Sequence, residues 1–343
     1  MSRITPLVRP NIAALTPYST ARDEYDGPIG IFLDANESPY ENGYNRYPDP
    51  HQAALKARLC EVKGYSAENL FLGNGSDEAI DLVFRIFCEP GKDNAAIMTP
   101  SYGMYGVAAA INDITVRPVP LGEDFTLDTE ALLQVCDAHT KVLFLCSPNN
   151  PTGNAFPREQ LLDICDRFPG IVVIDEAYAD FSARGSLADE AMRRENLVVL
   201  QTLSKARAMA GLRIGMAVSS AEVIRLMSMV KYPYNLSRAA MEKALAFLGT
   251  PIDTEVSAIV KERKALSAAL PAFPFVRKVF PSDANFILVR VDDADGLYAY
   301  LLGEGIIVRN RNRVRGCEGC LRLTVGLPEE NEALLNALKR FTV

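Results

Sequence analysis

Short apolar, β-branched runs recur along the first two-thirds of the chain, at Ala95–Met98, Val142–Cys146, Ile171–Ile174 and Leu197–Leu200, each closed by turn residues. Runs this brief and this uniformly apolar predict strands buried on both faces, as in a parallel sheet. Helix-like periodic segments lie between several of them. Asp77-Glu78-Ala79-Ile80 opens one in which Ile80, Val83, Phe84 and Phe87 share a helical face, and Glu89-Pro90-Gly91 stops it. The alternation predicts an α/β fold with a mainly parallel sheet between helices. After Gly215 the pattern changes to long helical stretches around Ala221–Val230, Arg238–Phe247 and Thr254–Ala269, then strand-like runs at Asn285–Val289 and Leu321–Val325. That order predicts a smaller C-terminal α+β domain. The opening residues, with Pro6, Pro10, Pro17 and Pro28, read as an irregular arm that packs on something larger. The expected division is an arm over 1–35, a large domain over 36–235, and a small domain over 236–343 to which the arm contributes.

Composition narrows the function. The 343 residues are 48% apolar and 23% charged, enough for a well-buried core and without a disordered tract. A net charge of −7 argues against general nucleic-acid binding, which needs a basic face. No stretch approaches the roughly 20 apolar residues of a membrane span, and the start Met1-Ser2-Arg3-Ile4-Thr5-Pro6 has no signal-peptide core. A small-molecule partner and a cytoplasmic location are the expectation. The seven cysteines have no framework spacing, which fits reduced thiols. Cys317-Glu-Gly-Cys320 lacks the second pair or the nearby histidines that a zinc site needs, His51 and His139 being the only ones, so no metal is expected.

Four segments place polar residues just after a predicted strand or at a helix start, where open α/β sheets hold their ligands. Gly73-Asn74-Gly75-Ser76-Asp77-Glu78 runs into the helix above, and its amides suit a phosphate, although a glycine-rich helix entry is more often an ordinary turn. Ser147-Pro148-Asn149-Asn150-Pro151-Thr152-Gly153 follows one strand as a stiff loop carrying two side-chain amides. Asp175-Glu176-Ala177-Tyr178 closes another and leaves a carboxylate that needs a cation or proton partner. Thr202-Leu203-Ser204-Lys205 follows a third, with Arg213 in Ala210-Gly211-Leu212-Arg213-Ile214-Gly215. A lone lysine at a strand end is usually a solvated surface residue; the combination is what carries weight.

In order and spacing these segments resemble the fold-type I pyridoxal-phosphate aminotransferases, from about Asp34 to Gly326. The resemblance implies that Lys205 holds pyridoxal 5'-phosphate as a Schiff base and moves the proton at the substrate α-carbon. Asp175 would pair with the pyridine nitrogen, Asn150 and Tyr178 would bond the ring's 3-oxygen, and Tyr102 would stack on its face. Gly75, Ser76, Asp77, Ser204 and Arg213 would hold the phosphate. Tyr47, in Asn45-Arg46-Tyr47-Pro48, matches a tyrosine that reaches the phosphate from a neighbouring subunit, which implies a homodimer.

Within that family, Leu15-Thr16-Pro17-Tyr18, Asp34-Ala35-Asn36-Glu37, Ser101-Tyr102-Gly103-Met104-Tyr105 and Cys320-Leu321-Arg322-Leu323-Thr324-Val325-Gly326 are most similar to the histidinol-phosphate aminotransferases. By that resemblance Arg322 would bind the glutamate carboxylate in one half-reaction and the substrate phosphate in the other, helped by Arg309 and Tyr18, with Asn36 beside them. The bland reading of Arg309 is that Arg309, Arg311, Arg313 and Arg315 alternate on the exposed face of a hairpin, with one or none pointing inward. Arg207, two residues past Lys205, and Cys317, near Arg322, are not explained by the pattern; a charge at Arg207 beside the pocket would favour a different acid. An aromatic aminotransferase and a threonine-phosphate decarboxylase share the scaffold and stay open as alternatives. A cofactor-sensing regulator would need a DNA-binding module, for which no space is expected.

Overall fold

The computed structural model describes residues 3–20 and 30–341. Seven strands form the larger sheet: β1 (Leu70–Asn74), β2 (Asn94–Thr99), β3 (Thr115–Pro120), β4 (Thr140–Cys146), β5 (Ile171–Asp175), β6 (Leu197–Thr202) and β7 (Ile214–Val218), in the order β1-β7-β6-β5-β4-β2-β3. All pairings are parallel except those of β7, which runs against both neighbours. Leu143 to Cys146, Ile171 to Ile174 and Leu197 to Leu200 are buried throughout, which is why their sequences show no alternation.

The helix Ser76–Phe87 packs on this sheet and buries Ala79, Ile80, Leu82, Val83, Phe84, Ile86 and Phe87. Asp77 and Glu78 in its first turn and Arg85 in its last complement the helix dipole. Its start is pressed against β7: a Cβ on Gly215 would lie 2.0 Å from the Ser76 nitrogen, so no larger residue fits there without moving the helix.

Part of the arm is ordered by the same core. Ile4 and Ile12 are buried in it, the Arg9 amide donates to Ile86 O at 2.9 Å, and the Arg9 guanidinium donates to Arg85 O at 3.0 Å. Pro28, one of the prolines that mark the arm, lies outside the described residues.

The second sheet is antiparallel, β8 (Val276–Val279), β9 (Phe286–Val291), β10 (Arg309–Asn310) and β11 (Cys320–Thr324), in the order β10-β11-β9-β8. With the helices Asp253–Ala269, Ala294–Gly303 and Pro328–Arg340 it encloses a separate core that includes Leu266, Ile287, Leu301, Leu323 and Leu334. Leu236, Met241, Ala244 and Leu248, around the helix Arg238–Leu248, belong instead to the larger core. Among the described residues no helix is long and apolar enough to cross a membrane.

Candidate active site

Strand direction gathers the chemistry at one edge. β4, β5 and β6 are adjacent and parallel, so the loops after them, with Asn150, Asp175 to Tyr178, and Lys205, emerge side by side across two strand spacings, roughly 10 Å. β2 runs the same way and is followed by Tyr102. β7 is antiparallel, so its start, with Arg213, lies at this edge, and β1, antiparallel to β7, delivers Gly75 there too. A cavity of about 390 Å³ opens at this edge. Gly75, Ser76, Asp77, Tyr102, Asn150 and Asp175 line one part of it, Tyr178, Ser204, Lys205 and Arg213 another, and Arg309, Arg311 and Arg322 of the second sheet form the facing wall.

Asp175 ends β5 on the same face as Ile171 and Val173 and is only 3% exposed. Its Oδ2 accepts from the Tyr105 hydroxyl at 2.7 Å and its Oδ1 from the Ala177 amide at 3.0 Å. Burial pushes its pKa up, against the pull of those two bonds. Tyr105 was not singled out from the sequence. The acid's need for a donor was the signal, and the donor lies three residues past Tyr102.

Asn149 holds the loop after β4, donating to Pro100 O at 3.0 Å and to Thr152 Oγ1 at 2.7 Å. Asn150 is thereby left facing the cavity. Its amide donates to the Tyr178 hydroxyl at 3.4 Å and accepts from Arg322 Nη1 at 2.5 Å. Burial raises the Tyr178 pKa, so the phenol stays protonated at neutral pH. Lys205 stands at the open side, its Nζ 5.6 Å from the Tyr178 ring centre. Desolvation, then the charges of Arg322 and Arg213, lower its pKa, while Asp175 and Asp77 oppose them. A lowered lysine pKa raises the share of neutral, nucleophilic amine.

At the helix start the sequence expectation needs a correction. The Gly75 amide is not available to a ligand, because it donates to Arg213 O at 2.7 Å. What Gly75 provides is a left-handed φ of +74° and room: a Cβ there would come within 2.7 Å of Arg213 Nη2. The amides of Ser76 and Asp77 begin the helix, where no intrahelical acceptor exists. Arg213 Nη2 stands 3.5 Å from Asp77 Oδ2, Tyr102 donates to Asp77 Oδ1 at 3.2 Å, and Thr202 Oγ1 donates to Ser204 Oγ at 3.0 Å. Two amides, a hydroxyl and a guanidinium thus surround one spot, a donor set that suits a phosphate.

Two further expectations differ from the structure, those for Arg207 and the alternating arginines, and three residues lie away from the cavity. Tyr18 is 75% exposed and does not line the cavity. Asn36 lies with Tyr47 on a separate concavity that Arg213 also reaches, and Tyr47 stacks on Tyr234 with ring centres 4.5 Å apart. Arg207 turns away from the pocket, donating to Thr250 O at 3.0 Å, so it adds no charge beside the substrate. Of the alternating arginines two point inward rather than one or none, Arg309 and Arg311, whereas Arg315 lines a different cavity. Cys317 and Cys320 are buried free thiols against Phe125, Phe280 and Leu288, outside the pocket.

The pocket's buried acid, amine and phosphate-type cradle fit a pyridine-phosphate cofactor. A family model for aminotransferases of class I and II matches residues 32–338. A curated histidinol-phosphate aminotransferase of Parabacteroides distasonis is 53% identical over 341 residues, covering 99% of both chains. One of Bacteroides fragilis is 49% identical over 344 residues, covering 99% of this chain and 100% of its own. Among solved structures, the histidinol-phosphate aminotransferase of Clostridium acetobutylicum superimposes with a TM-score of 0.79 at 25% identity, covering 86% of this chain and 90% of its own. The chain therefore belongs to the class I and II aminotransferases, and within them to the histidinol-phosphate aminotransferases, a family of pyridoxal-phosphate-dependent transaminases.

Proposed function

We propose that this chain transfers an amino group from L-histidinol phosphate to 2-oxoglutarate, giving imidazole-acetol phosphate and L-glutamate in histidine biosynthesis, in two half-reactions at one pocket with pyridoxal 5'-phosphate on Lys205. The observation that carries the reading is the juxtaposition of a partly desolvated lysine and a buried carboxylate with a facing wall of arginines. The cofactor, when bound, supplies the electron sink for the pair left behind as the α-proton departs. Asp175 would sit against the ring nitrogen and keep it protonated, which also neutralises a carboxylate that burial disfavours. Asn150 and Tyr178 would bond the ring oxygen, Tyr102 would cover one face, and Ser76, Asp77, Ser204 and Arg213 would hold the phosphate. The Lys205 amine would attach the cofactor and then take and return the proton at the substrate α-carbon.

Arg322, with Arg309, would bind the glutamate carboxylate or the substrate phosphate, because a guanidinium fork suits both anions. We propose too that the enzyme is a cytoplasmic homodimer in which Tyr47, half exposed here, reaches the cofactor phosphate of the neighbouring subunit, while Asn36 and Tyr18 help to bind substrate. The arm (1–35), the cofactor-binding part (36–235) and the C-terminal part (236–343) would be its working divisions, with the helix Arg238–Leu248 riding on the cofactor-binding part.

The test is to titrate the cofactor-loaded protein separately with L-histidinol phosphate, L-glutamate, L-phenylalanine and L-threonine phosphate, following the visible spectrum and the products. Conversion to the pyridoxamine form by both histidinol phosphate and glutamate is expected. Conversion by aromatic amino acids and glutamate alone would make it an aromatic aminotransferase, and carbon dioxide released from threonine phosphate would make it a decarboxylase.

A further inference from the structure

Arg311 is not needed where it stands for any structural reason the fold reveals. The bond that closes its hairpin uses the main chain, the Arg311 amide donating to Cys320 O at 2.9 Å, so any non-proline residue would serve. Its side chain nevertheless turns into the cavity. Arg309 and Arg311 are two residues apart on an extended segment and share a face, while Asn310 and Asn312 turn the other way and both donate to the Asp295 carboxylate. The register sets Arg309 opposite Arg322, so three guanidiniums form one wall.

That wall is electrostatically unmatched. Among the described residues no carboxylate lies within ion-pair distance of Arg309, Arg311 or Arg322, and the buried Nε atoms of Arg311 and Arg322 have no hydrogen-bond partner. Around the cavity five cations (Lys205, Arg213, Arg309, Arg311, Arg322) face two carboxylates, and both of those stand at the cofactor end, Asp77 beside Arg213 and Asp175 bonded to Tyr105. Burial first, then Arg322 and Arg309, pull the Arg311 pKa down to about 10, which leaves it charged at neutral pH. A half-buried, unpaired cation is costly and stays where something compensates it. One guanidinium pair matches a carboxylate; a third cation beside it suits an anion of higher charge.

We infer that Arg311 is a specificity-determining residue that reads the charge of the substrate's distal anion, making the wall selective for a phosphate dianion over a carboxylate monoanion. The inference rests on the proposed reaction, in which one substrate carries a phosphomonoester and the other carboxylates. In the histidinol phosphate half-reaction all three guanidiniums have a phosphate oxygen to meet. In the glutamate half-reaction Arg309 and Arg322 suffice, and Arg311 stays unmatched, which favours release of that substrate's product and return of the phosphate.

The test uses the cofactor-loaded enzyme, in which the cofactor's own phosphate cradle is filled, and compares wild type with Arg311→Gln and Arg311→Lys. Ethyl phosphate and propionate are titrated at pH 8 and pH 5.5, reading the shift of the cofactor's visible band; phosphomonoesters lose their second charge near pH 6. Wild type should favour ethyl phosphate over propionate at pH 8 and lose much of that preference at pH 5.5. In R311Q the preference at pH 8 should fall at least tenfold, with partial recovery in R311K. In single-turnover reactions R311Q should lower kcat/KM for histidinol phosphate at least tenfold more than for glutamate, mostly through KM. An unchanged anion preference in R311Q, or equal losses for both substrates, overturns the inference. Failure of wild type to react with histidinol phosphate would instead overturn the proposed reaction, and the ethyl phosphate titration would still decide the role of Arg311.

Discussion

The two ends of the cavity are built on different terms. At the cofactor end the polar side chains are largely held by other protein groups: Asp175 by Tyr105 and the Ala177 amide, Asn150 by Tyr178, Asp77 by Tyr102 and Arg213. The supports are strands of a seven-stranded sheet, so this geometry is set before anything binds. At the arginine end Arg309 stands on a two-residue strand, Arg311 just past it and Arg322 on β11 of the smaller sheet, and the guanidiniums have no carboxylate partners among the described residues. A resident cofactor calls for a finished socket. A pair of alternating substrates with different anions calls for a wall whose charge the substrate completes, and the unpaired arginines supply that.

The largest expected effects break the finished end. Lys205→Ala should remove both the covalent anchor and the proton carrier, lowering turnover by about 10⁴-fold or more. The same variant, loaded with cofactor, should lack the visible band of the lysine-bound form, and a retained band would sink the Lys205 assignment. Asp175→Asn keeps the shape and the Tyr105 contact but removes the negative charge; kcat should fall by roughly 10²–10³-fold with little change in fold, checked by single-turnover rates beside far-UV circular dichroism.

How much of this was legible follows from where each residue sits. β2, β4, β5 and β6 are interior strands covered on both faces, so their sequences are continuous apolar runs that can be read directly. β3 escaped because it is the edge strand, with two prolines and a half-exposed pattern, Thr-Val-Arg-Pro-Val-Pro. The strand-end residues Asn150, Asp175, Lys205 and Arg213 were visible because parallel topology forces such positions to one edge. Tyr105 and Arg311 were not. Tyr105 reaches Asp175 across strand order, from the helix after β2 to the end of β5, and no local spacing encodes that contact. The alternating arginines gave the wrong count because extended alternation ends at Asn312, where the chain turns, so Arg309 and Arg311 share the pocket face while Arg315 goes elsewhere. Tyr18, Asn36 and Tyr47 lie away from this chain's own cavity.

Intermediate effects belong to the unfinished end and to its link with the finished one. Arg322 bonds Asn150 and faces the cavity, so Arg322→Gln should cost roughly 10²-fold in kcat/KM for both amino donors, the loss of one or two charge-assisted hydrogen bonds. A loss confined to kcat would argue that Arg322 tunes the ring oxygen through Asn150 instead of holding substrate. Tyr105→Phe removes one neutral donor from the Asp175 carboxylate and should lower kcat by about 5–10-fold, with KM for both donors nearly unchanged. If Tyr105→Phe altered the KM ratio between donors, the two ends would be coupled more tightly than their contacts suggest.

The smallest effect on activity is expected one residue past Asp175. Glu176 is as buried as its neighbour but lies on the opposite face of the strand, where it accepts from Ser186 Oγ at 2.5 Å, the Leu187 amide at 2.6 Å and Gln201 Nε2 at 3.1 Å. Burial raises its pKa from 4.5 to about 7, against the pull of those bonds. Between those values the folded protein holds a proton that the unfolded chain has lost, so this carboxyl's contribution to stability is complete at low pH and declines as pH rises toward 7 and beyond. Glu176→Gln has no such proton. Relative to wild type, its unfolding free energy should therefore rise by about 1–3 kcal/mol between pH 5 and pH 8, measured by urea unfolding, while its activity stays within about twofold. A flat difference across that range would mean that the three donors, not burial, govern Glu176. A large loss of activity would mean that the two faces of β5 are not independent, and the separation of a chemical carboxylate from a structural one at adjacent positions would fail.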